Sequence, residues 1–308
     1  MLPILQRIIV MLLALGSLAH YSFAAEPKYI IGFPEDNLSN EWRAAQMEEI
    51  VQLLKKHPNV QFLMADAEGS IAKNLLDIET LVEQGAQLLF LGPRHPDSLS
   101  TIVAKLRQKG VRIILLTRKL NTEDYDVFIS PDDFKIAYDA ATFLAEHMRG
   151  KGRILMLEGI PTTSTAIRRK KGFMAGLEIY PGIEVINRVA NYSRTEAMMV
   201  VEQALKDGLK FDTIFAHNDA MAAGARQSLK LANIDPGSVP TVGIDFLPET
   251  RDAIINGEQL ASFTYPTCGK IGVETALKLL QDVATPRYIE VPSQLVTREN
   301  VRDIKTVY

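Results

Sequence analysis

Arginine, carboxylate, amide and aromatic residues recur in this sequence just past short apolar runs. Asn37-Leu38-Ser39-Asn40-Glu41-Trp42-Arg43 follows one run and places the chain's single Trp beside an Arg. Thr117-Arg118 follows another, and Arg168-Arg169 comes shortly after Thr162 to Ala166. Asn191-Tyr192 precedes a helical pattern, His217-Asn218-Asp219 closes a further run, and Asp245 closes the last. Guanidinium groups donate hydrogen bonds in pairs, carboxylates accept them, amides do both, and an aromatic face covers the apolar side of a ring. Together these are the groups a small polyhydroxylated ligand requires. Each also has a plainer reading. Trp42 can pack beneath its own helix, Arg168-Arg169-Lys170-Lys171 can be a solvated basic face, Asp219 can cap the helix that follows it, and Asn218 can be a turn residue.

Chemical conversion is not what the motifs describe. There is no G-x-S-x-G elbow, P-loop or H-E-x-x-H pair, and Gly150-Lys151-Gly152 stands before a strand pattern, where no dinucleotide fingerprint lies. One Cys cannot form an intramolecular disulfide or a thiolate zinc site. The expectation is a binding protein with no catalytic residue, metal or cofactor. With 34 Lys and Arg against 37 Asp and Glu, the chain also has no electrostatic footprint for nucleic acid.

The elements that must position these groups alternate. Apolar runs at Tyr29–Phe33, Val60–Met64, Leu88–Leu91 and Ile113–Leu116 read as buried strands, separated by helical patterns over 40–56, 71–82 and 99–109. The pattern restarts with a helix over 132–149. Strands follow at 154–157, 183–186, 213–216 and 239–244, with helices over 165–180, 194–207 and 219–231 between them. A last helix spans 269–282. Strand–helix alternation predicts parallel sheets covered on both faces. The fold class expected is α/β, with two doubly wound lobes joined by a hinge. The first lobe is assigned 25–131 and 267–290, the second 132–266 and 291–308. In such sheets ligands bind beyond the carboxyl ends of the strands, so the site belongs in the cleft between the lobes.

The amino end reads differently. Arg7 precedes the apolar run Ile8–Leu15, and Ser22-Phe23-Ala24 supplies small residues at a cleavage site. That order is a secretory signal peptide over residues 1–24, and it predicts export to a periplasm. The apolar run is shorter than the ~20 residues that span a bilayer.

The mature sequence resembles the periplasmic sugar-binding proteins of the ribose-binding type, whose core is shared with the ligand domains of lactose-repressor-like regulators. The likeness runs from about Tyr29 to about Val301. It rests on Ser39-Asn40-Glu41-Trp42-Arg43, Thr117-Arg118, Ala166-Ile167-Arg168-Arg169-Lys170-Lys171-Gly172-Phe173, Ala216-His217-Asn218-Asp219-Ala220-Met221-Ala222-Ala223-Gly224-Ala225 and Val242-Gly243-Ile244-Asp245. The Trp-Arg-Ala-Ala and Arg-Lys-Lys-Gly-Phe segments are most similar to the galactofuranose-binding branch. The resemblance implies sugar contacts by Arg118, Arg169, Asn218 and Asp245, a stacking ring at Trp42 with Arg43 beside it, and a second ring at Tyr192. With Ser39, Asn40 and Thr117 these make up the expected ligand-binding set. Three departures stand out. Thr117 replaces the usual Asp, Gly92-Pro93-Arg94-His95 lacks the Asn of ribose binders, and the hinge-side Gln is replaced around Tyr265-Pro266-Thr267.

The resemblance implies a monomeric receptor that captures a monosaccharide, with furanoses among the candidates, and hands it to the permease of an ABC-type importer. The alternative is a sensor that presents a sugar or small signal molecule to a membrane histidine kinase or chemoreceptor. A DNA-bound regulator is excluded by the signal peptide and by the lack of a basic helix-turn-helix ahead of the core.

Overall fold

The computed structural model describes residues 28–308; the expected signal peptide lies outside them. The first sheet has the order β11-β5-β4-β3-β1-β2. Its strands are β1 (Tyr29–Glu35), β2 (Val60–Asp66), β3 (Leu88–Leu91), β4 (Arg112–Leu116), β5 (Val127–Ser130) and β11 (Tyr288–Glu290). The second has the order β12-β10-β9-β8-β6-β7. It is built from β6 (Lys151–Glu158), β7 (Gly182–Val189), β8 (Thr213–Ala216), β9 (Thr241–Asp245), β10 (Ala261–Thr264) and β12 (Leu295–Thr297). Neighbouring strands run parallel except β10 and β12, which are antiparallel.

Helices cover both faces of each sheet, as apolar parallel strands require. Alternate residues of β3 and β4 divide between two cores. Leu88, Phe90, Ile114 and Leu116 pack with Met47, Ile50 and Leu54 of α1 (Glu41–Leu54) and with Val273 and Ala276 of α9 (Gly269–Leu279). Leu89, Leu91, Ile113 and Leu115 pack with α2 (Ile71–Glu83) and α3 (Pro96–Gln108). In the second sheet Ile154, Met156, Phe215 and Ile244 meet α4 (Asp133–His147) and α5 (Ser164–Gly176). Leu155, Leu157, Ile214 and Ala216 meet α6 (Arg194–Lys206) and α7 (Asp219–Leu231). A short helix, α8 (Pro248–Ile255), follows β9.

Several elements depart from the sequence reading. β5, β10, β11, β12 and α8 were not expected, and α9 ends at Leu279, short of residue 282. β1 continues through Pro34 to Glu35. Proline is tolerated there because β3 pairs with β1 only at Ile31 and Gly32, so no neighbour on that side needs its missing N–H. Between the sheets the chain crosses after β5, after β10, and between β11 and β12. α9, which follows the second crossing, packs on α1 and β4.

Candidate functional site

A cleft of about 440 Å³ opens between the two sheets at their strand ends, and both sheets' segments line it. All ten expected residues border this one cavity: Ser39, Asn40, Trp42, Arg43, Thr117 and Arg118 from the first lobe, and Arg169, Tyr192, Asn218 and Asp245 from the second. The volume is within the ordinary range for small-molecule pockets.

Asn40 caps α1, accepting from the Arg43 backbone N–H at 3.1 Å, while its amide reaches the Tyr192 carbonyl across the cleft at 3.5 Å. Ser39 precedes it and donates its backbone N–H to Asn37 at 2.7 Å. The cap aims the first turn of α1 at the cleft. Trp42 is nearly buried, and its indole N–H donates to the Tyr265 carbonyl at 2.9 Å. The two rings lie 5.6 Å apart, and Trp42 packs into the core of the second lobe although α1 belongs to the first sheet. Trp42 therefore borders the cleft and also joins the lobes. The Arg43 guanidinium sits 5.1 Å from the Trp42 ring and donates to Gln46 at 2.9 Å, and Gln46 donates to the Thr267 carbonyl.

Arg118 donates to Asp36 at 3.0 Å and to the Gly92 carbonyl at 3.4 Å. Asp36 was not expected, yet it supplies beside Arg118 the anion that Thr117 does not. Burial works against ionisation of Asp36. Arg118 foremost, with Glu35, Arg43 and Arg94, outweighs burial and holds the carboxyl below its usual range. The adjacent Glu35 is pushed the other way, up to about 8, chiefly by burial, with Arg43 opposing. Its nearest guanidinium, Arg43, is 3.8 Å away, and its Oε2 is buried with no hydrogen-bond partner among the described residues. Thr117 adopts φ 62° and spends its hydroxyl on the Leu116 carbonyl at 2.7 Å, while its own carbonyl accepts from Thr165 of the other lobe at 2.9 Å.

In the second lobe the basic run on α5 divides. Arg168 is half-exposed and pairs with Asp132 at 2.6 Å, and Lys170 pairs with Glu158 at 2.9 Å. Arg169 is only 2% exposed. Its Nε donates to Asp133 at 2.9 Å, its Nη1 to the His217 carbonyl, and its guanidinium lies 4.5 Å from the Tyr265 ring and 5.9 Å from the Tyr192 ring. Burial opposes its charge, but Asp133 and the neighbouring Tyr192, Tyr265 and Asp245 keep it firmly cationic. Tyr192 lies against Gly159, where a Cβ would fall 2.1 Å from the ring, so only glycine admits it. His217 is buried and neutral, with burial and Arg169 lowering its pKa, and its Nδ1 accepts from the Gly159 N–H at 3.3 Å.

The cap of α7 is corrected: Asn218, not Asp219, accepts the Met221 N–H, at 3.0 Å. Asp219 turns inward instead. It accepts from Ser262 at 2.6 Å, Gln259 at 2.9 Å and the Phe246 N–H at 2.7 Å. Gly243 makes room for it, since a Cβ there would lie 2.0 Å from Asp219 Oδ1. The Asn-Asp block and the Gly-x-Asp strand end are thus one buried network, and its product is the placement of Asp245 at the cleft. Burial pushes the Asp245 carboxyl well up, with Arg169 opposing.

Asp36, Arg94 and Tyr265 also border the cleft and were missed as site residues. Asp36 follows β1 directly, so a strand read two residues longer would have exposed it to the strand-end rule. Arg94 follows β3 after Gly92-Pro93. Tyr265 follows β10, a strand not read. Carboxylates, guanidinium groups, amides and rings from two lobes can surround a hydroxylated molecule and hydrogen-bond it from both sides.

Residues 31–283 match the family model described as a periplasmic binding protein domain. The chain is 29% identical over 252 residues to the xylitol-binding protein of Mycolicibacterium smegmatis, covering 80% of this chain and 71% of that protein. It is 26% identical over 255 residues to the galactofuranose-binding protein YtfQ of Escherichia coli, covering 80% of each. Among solved structures, the fructose-binding periplasmic domain of a hybrid two-component system superposes with a TM-score of 0.84 at 27% identity, over 89% of this chain and 92% of that one.

Proposed function

The chain belongs to the periplasmic binding protein family, and from that premise we propose that it captures a monosaccharide-sized ligand by closure of its lobes and delivers it to an ABC-type importer. The observation that carries this reading is a single cleft walled by polar strand-end residues of both lobes. A ligand there gains hydrogen bonds from both sides only when the lobes approach, so it selects the closed form. The first lobe comprises 25–131 and 267–290, the second 132–266 and 291–308. Export through the signal peptide of residues 1–24 places the monomer in the periplasm. The furanose and polyol ligands named for relatives support a small hydroxylated ligand here.

A second reading, a sensor that reports ligand to a membrane kinase, is favoured by the likeness to the fructose-binding domain of a two-component system. The two differ in the membrane partner, not in the cleft.

Titration calorimetry of purified protein with a panel of sugars and polyols, with mass spectrometry of the recovered ligand, tests the binding reading. Heat of binding with unaltered ligand, together with a changed emission of Trp42, is the expected result. Conversion of the ligand overturns it. Co-purification with a detergent-solubilised permease, rather than with a kinase periplasmic domain, separates importer from sensor.

A further inference from the structure

The first-lobe wall of the cleft holds more guanidinium than its carboxylates can match. Arg118 takes Asp36 Oδ1 at 3.0 Å. Arg94 is left 3.8 Å from the other oxygen of the same carboxylate, and its Nε is buried with no hydrogen-bond partner among the described residues. Arg43, the third guanidinium, donates to the neutral Gln46 amide at 2.9 Å and stands 3.8 Å from the Glu35 carboxyl. The facing lobe has no such surplus: Arg169 is matched by Asp133 at 2.9 Å and Arg194 by Glu249 at 2.8 Å.

Arg94 is also fixed in place. Its carbonyl accepts from Thr162 of the second lobe at 2.9 Å, so closure pins this segment at the cavity edge. Gly69 lies beside its Nη1, where a Cβ would come within 3.6 Å, and shares that flank with the Asn37 amide nitrogen, a donor that offers the guanidinium no acceptor. A guanidinium lining a cavity, sharing one acceptor with a better-placed neighbour, lacks a planar two-oxygen partner. A carboxylate is that partner, because it accepts two parallel N–H donors.

We propose that the ligand is an acidic sugar, a uronic or aldonic acid, whose carboxylate is received by Arg94 while its hydroxyls meet Arg169, Asn218 and Asp245. This rests on the sugar-capture reading above and narrows its ligand class. The ionisation of the wall agrees with it: burial pushes Glu35 up to about 8, so near neutral pH this carboxyl offers Arg43 little countercharge.

The test compares matched pairs by calorimetry: galactose with galacturonate, glucose with glucuronate, ribose with ribonate. It uses the wild-type protein and the Arg94→Gln and Arg94→Lys variants, each checked by thermal melting. The wild type should bind the acid of at least one pair tenfold or more tightly than its neutral partner. Arg94→Gln should lose that preference, the acid's affinity falling tenfold or more beyond any fall for its neutral partner, and Arg94→Lys should retain part of it. Neutral sugars bound as tightly as their acids by the wild type overturn the acidic ligand and leave sugar capture standing. A preference that survives in Arg94→Gln overturns the assignment to Arg94. Binding of no sugar of either series overturns this inference and the capture reading together. The wild-type comparison decides even if a variant folds poorly.

Discussion

The two walls of the cleft are built on opposite plans. In the second lobe the guanidinium groups are already paired within their own lobe, although among the described residues the Tyr192 hydroxyl and His217 Nε2 are buried with no hydrogen-bond partner. Arg169 is locked between Asp133, the His217 carbonyl and two tyrosine rings, and Asp245 is placed by the Asp219 network behind it. In the first lobe Arg43, Arg94 and Arg118 share Glu35 and Asp36 at distances up to 3.8 Å, and buried atoms of Glu35 and Arg94 have no hydrogen-bond partner. A wall whose charges are paired is stable without ligand. An undermatched wall gains most when ligand arrives, because buried polar atoms left unpaired are costly. Side chains that look alike in sequence therefore do different work on the two sides.

The contrast breaks most visibly at Arg169. Arg169→Ala strands the Asp133 carboxylate in a buried site, a loss of about 3–5 kcal/mol for a broken buried pair. A large fall in the melting temperature of the empty protein is the expected outcome; an unchanged melt would mean that the second-lobe wall is not self-supporting. Asp219→Ala comes next. It orphans the Phe246 N–H and takes one acceptor each from the Ser262 hydroxyl and the Gln259 amide, which keep the Phe263 carbonyl at 3.5 Å and the Ala261 carbonyl at 3.0 Å; a buried donor left unsatisfied costs roughly 1–3 kcal/mol. Stability should fall by about 3 kcal/mol, and affinity should fall as well because Asp245 loses its support. Chemical denaturation and calorimetry on one preparation measure both.

Arg118→Ala sharpens the other side. Losing a charge-assisted hydrogen bond of roughly 1.5–3 kcal/mol should weaken ligand binding about tenfold to a hundredfold. The empty protein should melt within a few degrees of wild type, since the Arg94 guanidinium, 3.8 Å from Asp36, remains to balance that carboxylate. A collapse in stability with intact affinity would erase the contrast. In acid the smallest effect is expected at Glu35, because its carboxyl is protonated in the folded and unfolded chains alike. Its carboxyl is raised in the folded protein, to about 8, so the folded state binds the proton more tightly than the unfolded one. The stability it contributes is present at low pH and is lost as pH rises from about 4.5 to about 8. Glu35→Gln, which cannot ionise, should flatten that part of the melting curve against pH, gaining on the wild type from about pH 4.5 to about pH 8 and holding the gain above it. Parallel curves would show that Glu35 is not protonated in the fold.

The sequence disclosed the alternation because buried parallel strands are continuous apolar runs, and it disclosed the cleft because ligands gather at strand ends. What it concealed follows the same physics. β10 spells Ala-Ser-Phe-Thr, which is no continuous apolar run, since Ser262 serves Asp219 between Ala261 and Phe263 of the core. β11 and β12 are three residues each, too short for any periodicity. Pro34 reads as a terminator, which hid Glu35 and Asp36 at the true end of β1. Arg168 and Arg169 are adjacent letters, but one helical step of about 100° puts one in water and the other in the core. Trp42 was expected to stack on ligand, and the contacts that hold it are those of a tie between lobes.

That tie has a consequence for how the molecule comes into being. Trp42 meets Tyr265 across 223 residues of chain, and Arg287 meets Glu123 across 164. The first sheet receives its edge strand β11 only from the far end of the polypeptide. The opening hundred residues thus cannot complete their own lobe until nearly the whole chain is present, and such long loop closures make folding slow. Until then the β5 edge is an unpaired template, exposed to wrong neighbours. A chain of this design is compelled to stay unfinished for most of its emergence, the condition in which a polypeptide can still be threaded elsewhere before it sets.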